Sequence, residues 1–141
     1  MSPHRWIAFV VDDEPMIAIT LKLILLAQGF DARSFTNPLD ALSAAHSMPP
    51  DLLISDVMMP YMNGYELAIQ VMLLHRGCKV LLFTGQVTTQ DLHSAAMTKG
   101  YDFDVLTKPV PPKILLATIE ALFERQNDAV PSGGGWASPS A

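Results

Sequence analysis

The sequence predicts an α/β fold in which one five-stranded parallel sheet carries helices on both faces, a doubly wound arrangement. Short apolar runs of strand length alternate with longer segments of helical length along the 141 residues. Half of the residues are hydrophobic and only 16% are charged, so a chain of this length can bury the core of one domain. Strands that alternate with helices in this way are typical of a parallel sheet covered on both sides.

Five strand–helix pairs fit this fold. The strands are predicted, in chain order, at Trp6–Val11, Asp31–Phe35, Leu52–Ser55, Val80–Thr84 and Phe103–Thr107. The helices that follow them are predicted at Pro15–Gln28, Pro38–His46, Gly64–His75, Thr89–Lys99 and Pro112–Arg125. Turn residues mark several boundaries. Gly29 and Gly100 stand where the first and fourth helices end, and Asn37-Pro38 stands where the second begins.

The last segment differs in composition from the rest of the chain. From Asn127 onward the sequence is rich in Gly, Ser and Pro and has no hydrophobic periodicity. We therefore expect one domain over residues 5–126 and a flexible tail over residues 127–141. The tail is interpreted either as a natural end or as a linker whose following domain has been cut away.

Composition and charge argue against several classes of protein. A net charge of −5 without a cluster of Lys or Arg argues against direct nucleic-acid binding. The longest apolar stretch, Met16–Ala27, is interrupted by Thr20 and Lys22 and is shorter than the roughly 20 residues of a membrane span. The single cysteine, Cys78, can form no intrachain disulfide, and no signal peptide is recognised, so we expect a cytoplasmic location.

Polar side chains follow four of the five predicted strands. Asp12-Asp13 comes after the first strand, Asp56 after the third, Thr84 ends the fourth, and Lys108 comes after the fifth. Because ligands bind outside the carboxyl ends of the strands in an open parallel sheet, these side chains are expected to meet in one site.

The three carboxylates would repel each other strongly unless a hard divalent cation neutralised them. Mg²⁺ fits best, because it binds a few carboxylates and keeps water and phosphate oxygens as its other ligands. Asp56 is then predicted to be a nucleophile that forms an acyl phosphate. Thr84 and Lys108 would bind the remaining phosphoryl oxygens. Each residue alone has an ordinary structural explanation, such as a helix cap or packing, but the ordered set is far more specific.

The motifs around these residues resemble those of the receiver domains of two-component response regulators. They read VDDEP over Val11–Pro15, DVMMPYMNGYEL over Asp56–Leu67, FTG over Phe83–Gly85 and LTKP over Leu106–Pro109. The resemblance extends over roughly Arg5–Arg125. It implies the flavodoxin-like receiver fold with strand order 2-1-3-4-5, and a switch controlled by phosphorylation in a phosphorelay.

The resemblance also implies a role for each residue at the site. Asp56 would accept a phosphoryl group from a histidine kinase or a histidine phosphotransfer protein. Asp13 and Asp56 would bind Mg²⁺ directly, Asp12 would act through water, and the backbone carbonyl of Met58 would complete the protein ligands. The chain would then be a signalling domain and not an enzyme with an external substrate, since it catalyses only its own phosphorylation and dephosphorylation.

One part of the pattern departs from the family. In receiver domains Thr84 moves toward the phosphate and Lys108 pairs with it, with a cis peptide bond expected between Lys108 and Pro109. The aromatic residue usually found three positions before the lysine is Val105 here. Phe103 can replace it only if the strand bulges. The usual aromatic readout is therefore in doubt, whereas the phosphorylation chemistry is expected to survive.

Two other functions compete with the signalling switch. A phosphatase of the haloacid-dehalogenase type also uses Asp, Thr or Ser, Lys and Mg²⁺, but it needs a second Asp two residues after the nucleophile, where this chain has Met58. A degenerate receiver would bind a partner without phosphorylation, and the complete set of site residues argues against it. The leading hypothesis is a receiver domain without its own DNA-binding domain.

Two features outside the site are less specific. The first helix is apolar on nearly every side, which predicts a docking surface for a kinase or phosphotransfer protein, a homodimer contact or plain exposure. A downstream protein target is also expected. The histidines have no metal-ligand spacing and are expected at the surface; they are His4, His46, His75 and His93.

Overall fold

The computed structural model describes residues 5–85 and 89–125, and they form five strands alternating with five helices. The strands are β1 (Ile7–Val11), β2 (Asp31–Phe35), β3 (Leu52–Asp56), β4 (Lys79–Thr84) and β5 (Asp104–Thr107). The helices are α1 (Pro15–Ala27), α2 (Pro38–Ser47), α3 (Gly64–Leu74), α4 (Gln90–Thr98) and α5 (Pro112–Glu124). Each lies within two residues of its predicted bounds.

The five strands form one parallel sheet in the order β2-β1-β3-β4-β5, which confirms the predicted fold class and strand order. The chain leaves β1 toward β2 on one side and returns to β3 on the other. The order therefore reverses between β1 and β3, and in such sheets this is where a ligand crevice opens at the carboxyl ends of the strands.

The core consists of two apolar layers, one on each face of the sheet. Along β1, Phe9 and Val11 point into one layer, and Ala8 and Val10 point into the other. Side chains of α2, α3 and α4 complete the first layer, and those of α1 and α5 complete the second. Since both faces of the central strands are buried, these strands read as continuous apolar runs in the sequence.

Local sequence sets the helix boundaries. The Asn63 side chain accepts a hydrogen bond from Glu66 N, and the Glu66 carboxylate accepts one from Asn63 N, which forms a capping box at the start of α3. Gly29 and Gly100 have φ values of +96° and +95° just after α1 and α4, a conformation that glycine adopts without steric cost.

Three expectations fall wholly or partly outside the described residues, one of them the surface position of His4. The tail over 127–141 lies there, as does the end of the predicted domain at residue 126. Among the described residues, no helix is both long enough and apolar enough to cross a membrane.

Candidate functional site

Three carboxylates meet at the carboxyl end of the sheet. Asp12 and Asp13 directly follow β1, and Asp56 is the last residue of the neighbouring strand β3. Each offers an oxygen, and the three oxygens lie within 4.8 Å of one another. The Asp12 side chain is buried, that of Asp56 is largely buried and Asp13 is exposed. The structure thus brings together the acidic residues predicted to form the metal site.

Lys108 reaches the same site from β5, two strands away from β3. Its Nζ donates a hydrogen bond of 2.9 Å to Asp12 Oδ2 and lies 3.4 Å from Asp56 Oδ2. Its backbone N–H donates to the Thr84 carbonyl at 2.8 Å. The Lys108–Pro109 peptide bond is cis, as expected. One ammonium therefore bridges the carboxylates that follow β1 and end β3.

Burial and neighbouring charges both shift the pKa values of Asp56 and Lys108. Burial raises the pKa of Asp56 above the usual carboxyl range, and the charges of Asp12 and Asp13 raise it further, while Lys108 opposes them. Burial disfavours the Lys108 ammonium, but its hydrogen bond to Asp12 and the charges of Asp12 and Asp56 leave its pKa raised. The site therefore carries a firmly protonated lysine beside a carboxyl group that resists ionisation.

Thr84 and Met58 lie beside this cluster. Thr84 is the buried last residue of β4, and the preceding residue, Phe83, is paired with Asp56. Met58 lies two residues after Asp56, and its side chain is half-exposed. Thr84 is thus near Asp56 across the sheet and Met58 is near it along the chain, and their roles at the site stay predictions.

Two neighbours to which the sequence analysis assigned no role at the site position the backbone of Asp56. The Ser55 hydroxyl donates a hydrogen bond of 2.8 Å to the Asp56 carbonyl. Gly64, the first residue of α3, lies so close to that carbonyl that a Cβ at this position would overlap its oxygen. The Gly64 N–H also donates to the Val57 carbonyl at 2.8 Å. The end of β3 and the start of α3 are therefore in direct backbone contact.

Comparison with known proteins identifies the family. The family described as "Response regulator receiver domain" matches residues 8–120. The chain therefore belongs to the response regulator receiver domain family. In agreement, the structure resembles the crystal structure of a CheY-like response regulator receiver domain protein from Methanospirillum hungatei, with a TM-score of 0.77 and 26% identity. That match covers 89% of this chain and 100% of the other.

Curated relatives of this receiver domain are longer proteins. The DNA-binding response regulator MtrA of Mycolicibacterium smegmatis is 33% identical over 128 residues, which are 91% of this chain and 55% of MtrA. The transcriptional regulatory protein CreB of Escherichia coli is 33% identical over 122 residues, which are 86% of this chain and 52% of CreB. The chain spans about half the length of these relatives. The expectation of a regulator without its own DNA-binding domain therefore stays a prediction.

The receiver's β5 strand does not bulge to replace the missing aromatic residue. Strands β4 and β5 pair residue by residue from Leu81 with Asp104 to Thr84 with Thr107, which places Val105 beside Leu82. Phe103 precedes β5, is buried, and packs near the Tyr65 ring of α3 at a centroid distance of 6.1 Å. Phe103 thus lies before the strand and two residues from Val105, although both side chains pack into the same apolar layer.

Two of the receiver's histidines have polar partners on other elements. His93 on α4 is only 24% exposed at its side chain, and its Nδ1 shares a hydrogen bond of 2.9 Å with the Tyr65 hydroxyl. The His75 Nε2 atom lies 3.2 Å from Asp51 Oδ1. Both histidines are partly exposed, but sequence spacing did not reveal these partners, which approach from other elements.

An apolar surface of the receiver adjoins the site. Met16, Ile19, Leu23 and Leu26 are exposed along the outer side of α1. Next to them, a groove of about 430 Å³ lies between α1 and the segment joining β5 to α5. Its lining is mostly apolar and includes Ile17, Val110 and the Lys108 side chain. The groove therefore adjoins the lysine of the acidic cluster.

Proposed function

We propose that this receiver domain accepts a phosphoryl group on Asp56 and acts as a Mg²⁺-dependent signalling switch. The observation that carries the proposal is the cluster of Asp12, Asp13 and Asp56, bridged by the Lys108 ammonium on two of its members. A site that needed only structural stability would gain nothing from three carboxyl groups at such short range, since they repel each other.

The donor set fits Mg²⁺. Oxygen atoms from three carboxylates lie within 4.8 Å of one another, and hard divalent cations prefer oxygen ligands. We propose Asp13, Asp56 and the Met58 carbonyl as direct ligands, with Asp12 acting through water. When bound, the ion would neutralise the carboxylates and stabilise the charge on the phosphoryl oxygens.

In the proposed transfer, an oxygen of the ionised Asp56 carboxylate attacks the phosphorus of a phosphohistidine. The new oxygen–phosphorus bond forms as the nitrogen–phosphorus bond breaks, and the electron pair of that bond leaves with the imidazole of the donor. Lys108 and the Thr84 hydroxyl would hold the phosphoryl oxygens. The distance of 3.4 Å between Lys108 Nζ and Asp56 Oδ2 supports this role.

The proposed phosphodonor is a histidine kinase or a histidine phosphotransfer protein. The apolar outer side of α1 and the groove beside Lys108 give such a donor a hydrophobic surface next to the reacting carboxylate. We also keep the cytoplasm as the proposed location, because the free, buried Cys78 thiol suits a reducing compartment.

The downstream effect is proposed to pass through another protein or domain. The chain has a net charge of −5 and no cluster of basic residues, so it lacks the charge that phosphate backbones attract. The DNA binding named for MtrA is therefore not assigned to the residues of this chain.

Intact-mass analysis after incubation with a small-molecule phosphodonor tests the proposal. We expect one phosphoryl adduct on the wild type that depends on Mg²⁺, none on Asp56→Asn, and a normal adduct on Asp40→Asn, which changes an exposed acid of α2. Absence of an adduct on folded wild type would favour a receiver that works by binding alone. Release of many equivalents of phosphate per chain from a phosphate monoester would favour the phosphatase hypothesis.

A further inference from the structure

A hydrogen bond between α3 and α4 lies at the end of a short path from Asp56. Tyr65 is the second residue of α3 and is almost fully buried, at 3% exposed. Its hydroxyl shares a hydrogen bond of 2.9 Å with His93 Nδ1 on α4, and the two rings meet edge-on at 5.8 Å. Because burial raises the pKa of Tyr65, the phenol keeps its proton and the hydrogen bond is not lost to ionisation.

The path from Asp56 to Tyr65 is made of backbone contacts. The Asp56 carbonyl lies against Gly64 with no room for a side chain there. The Gly64 N–H donates a hydrogen bond to the Val57 carbonyl. Tyr65 directly follows Gly64. Close-packed contacts of this kind transmit small displacements instead of absorbing them. A shift of the backbone at Asp56 would therefore move the first turn of α3 and carry the Tyr65 hydroxyl with it.

The α4 helix is lightly anchored. All nine of its residues, Gln90–Thr98, are described, and only Ala96 among them is buried. Thr89 at its N-terminus makes no capping hydrogen bond through its side chain. On the far side of His93, Nε2 lies 3.9 Å from Asp102, a largely exposed residue of the segment before β5. An element with so little buried surface can shift at low cost, so one directed hydrogen bond has a large influence on its position.

The route usual in this family lacks its aromatic residue in this chain. Val105 has neither a ring nor a hydroxyl, and the regular pairing of β5 with β4 begins at Asp104, which leaves Phe103 before the strand. Instead, Phe103 stacks on Tyr101 and packs near the Tyr65 ring. These aromatic contacts thus lie between α3, α4 and the segment before β5.

We infer that the Tyr65–His93 hydrogen bond couples the phosphorylation state of Asp56 to the position of α4. The inference rests on the proposed phosphorylation of Asp56 and names the path by which that event reaches a distant surface. Tyr65 and His93 are positioning residues in this scheme, since neither touches the phosphoryl group. The α4 helix then presents a different surface in the two states, and the partner that reads the signal can bind there.

Amide hydrogen exchange with beryllofluoride, a mimic of the acyl phosphate, tests the coupling. In the wild type with Mg²⁺ we expect beryllofluoride to change the exchange of the α4 amides. In Tyr65→Phe, which keeps the ring and removes only the hydroxyl, α4 should exchange about fivefold faster without beryllofluoride and lose most of its response to it. Tyr101→Phe, a matched change in the same aromatic group, should behave like the wild type.

The outcomes separate the coupling from the proposed phosphorylation. NMR chemical shifts of the Asp56 and Val57 amides report whether beryllofluoride binds. If they respond in both proteins and α4 responds equally in Tyr65→Phe, the coupling is wrong and the phosphorylation proposal stands. If the wild type shows no response at Asp56, both fail together. His93→Gln provides a second approach, and the double variant should differ little from either single variant, because both changes remove the same interaction.

Discussion

The surroundings of Asp56 disfavour its ionised form. Burial and the two neighbouring aspartates raise its pKa, and the attraction of Lys108 does not fully compensate. Because the folded protein holds this proton more tightly than the unfolded chain, the protonated group contributes stability below about pH 3.9, its usual pKa. That contribution is lost as the pH rises through the raised pKa. At neutral pH the ionised residue therefore destabilises the fold in the absence of a cation.

The first prediction concerns the stability of Asp56→Asn. In the absence of Mg²⁺ at pH 7, this variant should have a Tm a few degrees above that of the wild type, because it removes a carboxylate from a crowded acidic site. The difference should shrink as the pH falls toward 4, where Asp56 takes up a proton. Thermal unfolding followed by circular dichroism between pH 4 and pH 8 measures both effects.

Asp40→Asn is the matched control for this measurement. Asp40 is an exposed acid in the first turn of α2, where a negative charge stabilises the helix by interacting with the positive end of its dipole. Its replacement should lower the Tm slightly. A lower Tm for Asp56→Asn at pH 7 would show that the ion pair with Lys108 outweighs repulsion and burial.

At the scale of the elements, the junction between β3 and α3 is closely packed. Asp56 ends the strand, Ser55 holds its carbonyl through a hydrogen bond, and Gly64 begins the helix against the same oxygen. The capping box of Asn63 and Glu66 fixes where that helix starts. The position of Gly64 relative to Asp56 is therefore fixed by close backbone contact and by these hydrogen bonds.

The second prediction is that Gly64→Ala destabilises the protein by about 1–3 kcal/mol. The added methyl group would overlap the Asp56 carbonyl oxygen, so α3 or the end of β3 must move. The free energy of unfolding in urea gives the size of the effect. Gly85→Ala is the matched control, because a Cβ there meets no atom within 4 Å. Equal stability of the two variants would mean that the junction can relax freely.

The sequence predicted the elements well, and their bounds differ from the structure by at most one residue. Strand β2 has the predicted bounds, and β3 is one residue longer than predicted, because apolar runs bounded by turn residues carry a strong signal. Phe103 was assigned to the last strand from the run FDVLT, but pairing with β4 begins at Asp104. The sequence of this run does not show whether the backbone of its first residue pairs with β4 or whether that residue precedes the strand and packs against α3.

At the scale of the whole molecule, strand order determines which parts of the site could be predicted. The convergence of Asp12, Asp56 and Lys108 follows from a parallel sheet, since all three follow or end strands at the same edge. The hydrogen bond between Tyr65 and His93 does not follow from it. It joins residues on two helices, 28 positions apart, through the ends of long side chains. Only the packed structure shows such a contact.

The third prediction concerns the effect of Mg²⁺ on the stability of the whole fold. A ligand that binds only the folded state stabilises it by about 1.4 kcal/mol at ten times its Kd. Here Mg²⁺ should also relieve the repulsion among three carboxyl groups that come from distant parts of the chain. We therefore expect the Tm of the wild type to rise with Mg²⁺ concentration and to fall again when a chelator removes the ion.

Asp13→Asn should abolish most of that rise, because Asp13 supplies one of the three clustered carboxylates. Asp13 is exposed and lies outside the pair that Lys108 bridges, so its replacement should leave the fold without Mg²⁺ intact. Glu120→Gln, a change at an exposed acid of α5, should keep the full response. A full response in Asp13→Asn would place the ion elsewhere. The comparison therefore links the geometry of a few ångströms at the sheet edge to a property of the entire chain.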